Sequence, residues 1–234
     1  MSQNRESNLK GKPVAVVIGA TSKWQSNGRN TLLAHGKALN ESDFPVATRW
    51  GVGGAIAQKF AQEGFLVVLT TRSKANAASL VQAIEKQNGE CIVVELDLVS
   101  PASISTAFAT IRRDAGDPEV VIYNAGYMEG RELPPEKELL EHIPVEMFDT
   151  AQHISSRGPF LVAKEVLPTM RTKGRGSFFF SNNANSLRGR KRMTGQSLYY
   201  PRVMMRTLAQ VLTEEYSEYS SVSTCASVRI MTLG

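Results

Sequence analysis

The strongest constraint on this 234-residue chain is an alternation of short, β-branched and largely apolar runs with longer stretches of helical spacing. The first run covers residues 13–18 and leads straight into Gly19, and later ones cover residues 65–70, 91–96, 120–123, 177–180 and 222–230. A strand that is apolar on both pleat faces must be covered on both sides, as in a parallel sheet. The stretches between the runs read as helices. Val52, Ile56 and Phe60 recur with Ala57 and Ala61 beside them, and Gly64 ends that helix. Residues 74–87 follow Ser73 as a cap and stop at Asn88-Gly89, while Ser100-Pro101 opens a helix to about Ala115. Residues 145–171 form another, and residues 198–216 one more, with Met204, Leu208, Val211 and Leu212 as its apolar face. Right-handed crossovers turn this order into a Rossmann-like, doubly wound parallel α/β sheet. We expect a single domain over residues 1–234, with a polar tail at 1–12.

In such a sheet the first strand-to-helix turn meets an anion. Glycines let the backbone approach, and the helix N-terminus offers unpaired N–H groups with a partial positive charge. The first half of such a turn is Ile18-Gly19-Ala20-Thr21-Ser22 and the second is Gly51-Val52-Gly53-Gly54, with 28 residues, 23–50, between them. The insertion has near-matching ends, Lys23-Trp24 and Arg49-Trp50. Packing of the two tryptophans would offset a closure cost of about 3 kcal/mol for a loop of this length. The excursion, with Arg29, His35 and Lys37, reads as a lid over a cofactor or substrate mouth; a surface ornament and a disruption of binding are the alternatives.

With residues 23–50 removed, the chain reads VVIGATS-GVGGAIAQKF, which closely resembles the Gly-x-x-x-Gly-x-Gly turn of the short-chain dehydrogenase/reductase superfamily. Further matches follow in that family's order: Asp97-Leu98 after the third strand, Asn124-Ala125-Gly126 after the fourth, then Leu167-Pro168-x-Met170 and Gly174-x-Gly176-Ser177. The segment 180–189, with Ser186 in Ser-Leu-Arg-Gly, is similar to the one carrying the family's active-site serine. The resemblance covers about residues 13–230 and implies a nicotinamide dinucleotide. It places Gly19, Thr21, Ser22, Gly51, Val52 and Gly53 at the pyrophosphate and Asp97 and Leu98 beside the adenine. Asn124, Ala125 and Gly126 would support the sheet near the cofactor. Selectivity for NAD(H) needs a carboxylate at the end of the second strand, but Thr71 stands there, followed by Arg72 and Ser73. A guanidinium pairs with a 2′-phosphate, so NADP(H) is favoured over NAD(H).

The catalytic residues depart from the family pattern. The family uses a Tyr with a Lys four residues on, a Ser that binds substrate, and an Asn that holds a relay water. Here the Lys position is Arg202, the Tyr position Leu198 and the Asn position Ser155, and only Ser186 survives. Tyr199 lies three residues before Arg202, so a one-residue slip would restore it as the acid. The candidate catalytic set is therefore Ser186, Tyr199 and Arg202, with Arg202 also placed to clasp the nicotinamide ribose. The chain stops at Gly234, and the resemblance implies that the family's usual C-terminal strand is lacking. The resulting expectation is an NADP(H)-dependent oxidoreductase with atypical machinery, acting on a small carbonyl, imine or alkene-type substrate. The alternative is a catalytically silent nucleotide-binding subunit of structural or regulatory role.

Composition narrows the classes. The chain is 42% hydrophobic and 21% charged, as in an ordinary soluble globule. No apolar run approaches the roughly 20 residues that cross a bilayer, and the N-terminus lacks the apolar segment of a secretory signal. Cys91 and Cys225 both fall in strand-like runs and read as a reduced, buried pair, which points to the cytoplasm or a reducing organelle interior. The net charge is +5, yet residues 171–206 hold nine Lys/Arg and no acid, leaving −4 for the remainder. That positive field suits a phosphorylated cofactor, an acidic substrate or an acidic partner. Nucleic acid is disfavoured because no aromatic residues interleave to stack bases. His35, His142 and His153 lack metal-ligand spacing, so no metal is expected. The expected partner is a small-molecule substrate, with a homo-oligomer or larger complex left open.

Overall fold

The computed structural model describes residues 11–21, 33–34, 37–38, 50–127, 139–183, 202–217 and 226–233. Six strands form one parallel sheet: β1 (Val14–Ile18), β2 (Leu66–Thr71), β3 (Glu90–Glu95), β4 (Val120–Tyr123), β5 (Gly176–Asn183) and β6 (Ala226–Leu233). Their spatial order is β3-β2-β1-β4-β5-β6, so the chain winds outward from β1 in one direction, returns to it, and winds outward in the other. The topological reversal lies between β1 and β4, which is where open α/β sheets bind ligands beyond their strand ends. Within the insertion, Leu33–Ala34 pairs with Lys37–Ala38 as a short antiparallel ladder. The Trp24–Trp50 pairing lies outside the described residues. Trp50 itself is buried, in the same apolar cluster as Val17, Ala20 and Ala57.

The alternation of β1 explains the two-sided cover. Val14, Val16 and Ile18 pack with Phe108, Ile111, Val162, Val166, Phe178 and Phe180, so α3 (Pro101–Asp114), α5 (Gly158–Lys173) and α6 (Arg202–Ser217) share that face. Val17 and its neighbours Val67 and Leu69 pack on the other face with Ala57, Ala61, Leu80 and Ile84, from α1 (Gly51–Gln62) and α2 (Ala78–Lys86). A strand that is buried on both faces cannot alternate polar and apolar residues, which is why these runs read as continuous in the sequence.

Several local expectations change. The helix expected over 74–87 is a 3₁₀ turn, Lys74–Ala77, followed by α2. Ser73 sits at its start without a side-chain cap bond; the Lys74 N–H donates instead to the Glu95 carboxylate at 3.2 Å. A carboxylate from the neighbouring strand end thus serves where a serine hydroxyl was expected. Ser100 does cap α3, accepting from the Ser103 N–H at 3.2 Å with Pro101 behind it. The helix expected over 145–171 is α4 (Val145–Gln152), a π-helical turn His153–Arg157, and then α5, which ends at left-handed Gly174.

The apolar stripes of α1 and α6 are also displaced. Val52 is 41% exposed, and α1 instead buries Gly53, Gly54, Ala57 and Ala61. Small residues bring this helix closer to β1 than a Val–Ile–Phe stripe would allow. On α6, Met205, Ala209 and Leu212 are buried while Met204 and Val211 face outward. Cys91 is half-buried rather than fully buried, and Cys225 lies outside the described residues. Among the described residues, no helix is long and apolar enough to cross a membrane, and no group of three or more His, Cys, Asp or Glu could hold a metal ion.

Candidate dinucleotide-binding site

The two halves of the glycine turn meet in space despite the insertion. Gly19 follows β1 with φ of +77°, a conformation that a residue with a β-carbon rarely adopts. A β-carbon there would lie 2.7 Å from Ala125 Cα and 2.8 Å from Ala125 N, so the turn also touches the Asn124-Ala125-Gly126 segment directly. On Gly53, a β-carbon would come within 2.8 Å of Asn124 Nδ2 and closer still to the Gly19 carbonyl oxygen. Gly19, Gly53 and Asn124 therefore form one contact at the switch point of the sheet.

The end of β2 holds the turn from one side. Gly19 N donates to Thr70 Oγ1 at 3.3 Å and Ala20 N to the Thr70 carbonyl at 3.2 Å, while Thr70 Oγ1 itself donates to the Val17 carbonyl at 3.2 Å. Thr21 Oγ1 donates to the Asn76 carbonyl at 3.3 Å, tying the turn to the 3₁₀ segment after β2. These bonds occupy the N–H groups of Gly19 and Ala20. The N–H groups left without a helical partner are then those of the first turn of α1, which begins at Gly51 with neither a side-chain cap nor an acid. Gly51 has φ of +65°, and Val52 projects outward beside it.

At the end of β2, Thr71 is buried and Arg72 is exposed on the following residue. Asp97 is exposed past β3: its Oδ1 accepts from Val99 N at 3.0 Å and its own N–H donates to Ser103 Oγ at 2.9 Å, which fixes the turn, while Leu98 is buried. Both lie on the same carboxyl edge of the sheet as the glycine turn.

Beyond β4 and β5 the site is a hydrogen-bond network. Arg202, the first residue of α6, donates from Nη1 to the Ser181 carbonyl at 2.6 Å and to Ser181 Oγ at 3.4 Å. Its Nη2 donates to the Ala125 carbonyl at 3.0 Å and the Asn124 carbonyl at 3.3 Å, in space that a side chain at Gly126 would fill. Ser181 Oγ donates to Asn124 Oδ1 at 2.9 Å, and Asn124 Nδ2 to the Gly19 carbonyl at 3.0 Å. Asn182 Nδ2 donates to the Arg202 carbonyl at 3.2 Å.

Tyr123, the last residue of β4, is buried, and its hydroxyl donates to the Ile154 carbonyl in the π-helical turn. A π turn lifts a carbonyl out of the regular ladder, and here a buried phenol satisfies one. Burial pushes the Tyr123 pKa far up, opposed by the charge of Arg202. Tyr123 is thus a structural donor, unsuited to act as an acid near neutrality. Ser155, next along the same turn, is buried as well.

Of the residues singled out from sequence, Gly19, Thr21, Gly51, Val52, Gly53, Arg72, Ser73, Asp97, Leu98, Asn124, Ala125, Gly126 and Arg202 are described and line the carboxyl edge or its turns. Ser22, Ser186 and Tyr199 lie outside the described residues. Ser181 and Tyr123 were not singled out. The signal for Ser181 was available: a polar Ser-Asn-Asn run follows Phe178-Phe179-Phe180 at a strand's carboxyl end. For Tyr123 there was none, since an apolar strand ending in tyrosine reads as packing.

Comparison with known proteins agrees with this geometry. Residues 46–219 match the family described as Enoyl-(Acyl carrier protein) reductase. An uncharacterised oxidoreductase of Bacillus subtilis, YxbG, is 31% identical over 66% of this chain and 53% of its own length. Versicolorin reductase 1 of Aspergillus parasiticus is 29% identical over 57% of this chain and 49% of its own length. The chain thus spans about half the length of the curated relatives it matches. In structure, it is similar to a metagenomic short-chain oxidoreductase solved with NADP, with a TM-score of 0.68 at 20% identity, over 94% of this chain and 80% of that one. An alcohol dehydrogenase from Thermococcus sibiricus, solved with 5-hydroxy-NADP, gives 0.66 at 21% identity over 94% and 74%. The reversal in the sheet, the reunited glycine turn and a family match across most of the chain converge, and the chain belongs to the short-chain dehydrogenase/reductase superfamily.

Proposed function

We propose that the chain binds NADP(H) and works as an oxidoreductase on a small carbonyl-type substrate. The observation that carries this is the close approach of Gly19, Gly53 and Asn124 beneath the uncapped start of α1, a cradle that any side chain at either glycine would fill. When bound, the nicotinamide supplies or accepts the hydride. Gly19, Thr21, Ser22, Gly51, Val52 and Gly53 hold its diphosphate against the helix N-terminus. Arg72 and Ser73 take the 2′-phosphate, Asp97 and Leu98 border the adenine, and Asn124, Ala125 and Gly126 form the floor toward the nicotinamide. Ser186 orients the substrate and Tyr199 is the proton donor. Arg202 contributes a fixed positive charge at the nicotinamide end, because its fork is engaged by strand-end acceptors. The relatives named as reductases and the neighbour solved with NADP support this reading.

A second reading, dinucleotide binding without turnover, draws on the same Arg202 geometry: a fork committed to four protein acceptors is poorly placed to activate a hydroxyl. Titration with NADPH and NADH by fluorescence, followed by a screen of carbonyl and imine substrates for loss of reduced-nicotinamide absorbance, separates the two. The expected result is tighter NADPH binding with measurable turnover that Tyr199→Phe abolishes. Arg72→Ala should weaken NADPH about ten-fold, the worth of one exposed charge-assisted contact, and leave NADH nearly unchanged. Binding without turnover favours the second reading, and absence of binding by either dinucleotide overturns both.

A further inference from the structure

We infer that Ser181 is a positioning residue for the dinucleotide turn, acting through Asn124 in a relay whose direction Arg202 sets. The inference rests on the dinucleotide-binding reading of that turn. A guanidinium has donors only, so where Arg202 Nη1 meets Ser181 Oγ at 3.4 Å the hydroxyl must accept. Its own proton is thereby directed to Asn124 Oδ1 at 2.9 Å. An amide oxygen turned toward β5 leaves the amide nitrogen facing the other way, and Nδ2 donates to the Gly19 carbonyl at 3.0 Å. The asparagine amide is chemically two-faced, and the serine hydroxyl selects which face the turn receives.

The consequence falls on one peptide plane. The Gly19–Ala20 peptide has its oxygen held by Asn124 Nδ2 and its N–H held by the Thr70 carbonyl at 3.2 Å. It is clamped from β4 on one side and β2 on the other, directly under Gly53. Without the Ser181 hydroxyl, the Asn124 amide loses the partner that orients it. Rotation of that amide would bring its oxygen against the Gly19 oxygen, and the peptide under the first turn of α1 would no longer be held where the diphosphate meets the helix. Ser181 and Asn182 are both buried, so water does not readily replace the lost donor.

The test uses the full chain and its Ser181→Ala and Ser181→Thr variants, with NADPH affinity by fluorescence and amide hydrogen exchange of the free protein. Ser181→Ala is expected to weaken NADPH about 2- to 10-fold, the range of one neutral hydrogen bond. It should also speed exchange at Gly19 and Ala20 while leaving Ile104, Phe108 and Ile111 of α3 unchanged. Ser181→Thr, which keeps the hydroxyl, should restore both. Should Ser181→Ala not fold, the near-isosteric Ser181→Cys carries the same comparison. Wild-type affinity in the variant overturns the inference, as does an acceleration of exchange shared equally by α3, which would mark a purely structural role. Failure of the wild-type chain to bind NADPH or NADH overturns the underlying functional reading instead, and is visible before any variant is made.

Discussion

Arg202 and Ala125, 77 residues apart, are joined by a guanidinium-to-carbonyl hydrogen bond of 3.0 Å. The same side chain reaches Ser181 on β5 through its other nitrogen, so one fork bridges the carboxyl ends of two adjacent strands to the start of α6. An ammonium is a single point and cannot span both strand ends at once. Arg202→Lys would place the family's usual residue at this position, yet it is expected to lower stability by about 1–3 kcal/mol, the worth of a charged hydrogen bond lost among half-buried carbonyls. Urea denaturation with an unchanged slope would register it. An unaltered midpoint would show that the fork is dispensable.

Gly53→Ala is expected to be more damaging than the addition of one methyl group to a helix suggests. The added carbon would strike the Gly19 carbonyl oxygen and approach Asn124 Nδ2 within 2.8 Å, and both belong to the clamped turn rather than to flexible side-chain ends. The turn must shift or α1 must retreat. Overpacking of this kind costs about 1–3 kcal/mol. Calorimetry of the variant should show a lowered melting temperature together with loss of NADPH binding. Gly116→Ala is a fit control: it has open space around it and only the strain of its φ of +99° to bear.

Tyr123→Phe removes the donor to the Ile154 carbonyl and leaves a buried acceptor of the π turn unsatisfied. The expected loss is about 1–3 kcal/mol at neutral pH. Alkaline behaviour adds a second signature. Burial holds the folded Tyr123 pKa well above its ordinary value, so the folded protein keeps a proton that the unfolded chain gives up above about pH 10. The stability supplied by this group is fully present below that pH and declines as pH rises through it. The phenylalanine variant lacks that decline, so the gap between the two proteins should narrow above about pH 10. Parallel stability curves in denaturant at pH 7 and above pH 10 would contradict the assignment.

The parts of the fold that were legible in the sequence are those set by local rules. Val14 to Ile18 could only be a strand covered on both faces, Ser100-Pro101 could open a helix whatever it packed against, and Gly64 could end one. The order of such elements is enough to prescribe a doubly wound sheet, and the Gly19 and Gly51-Val52-Gly53 halves of the turn were marked out by residue type alone. Distance, direction and burial were settled only by packing. A helical stripe read from spacing put Val52 inside, but two adjacent glycines allow α1 to sit close to β1 and turn that residue outward. A serine before a helix reads as its cap, but a glutamate from β3 reached the Lys74 N–H first. Arg202 could be seen as a cation at the family's lysine position. That its fork would be held by Ser181, Asn124 and Ala125 depends on strand ends 21 to 78 residues away in the chain, and no local pattern encodes which carbonyls a folded sheet will bring together.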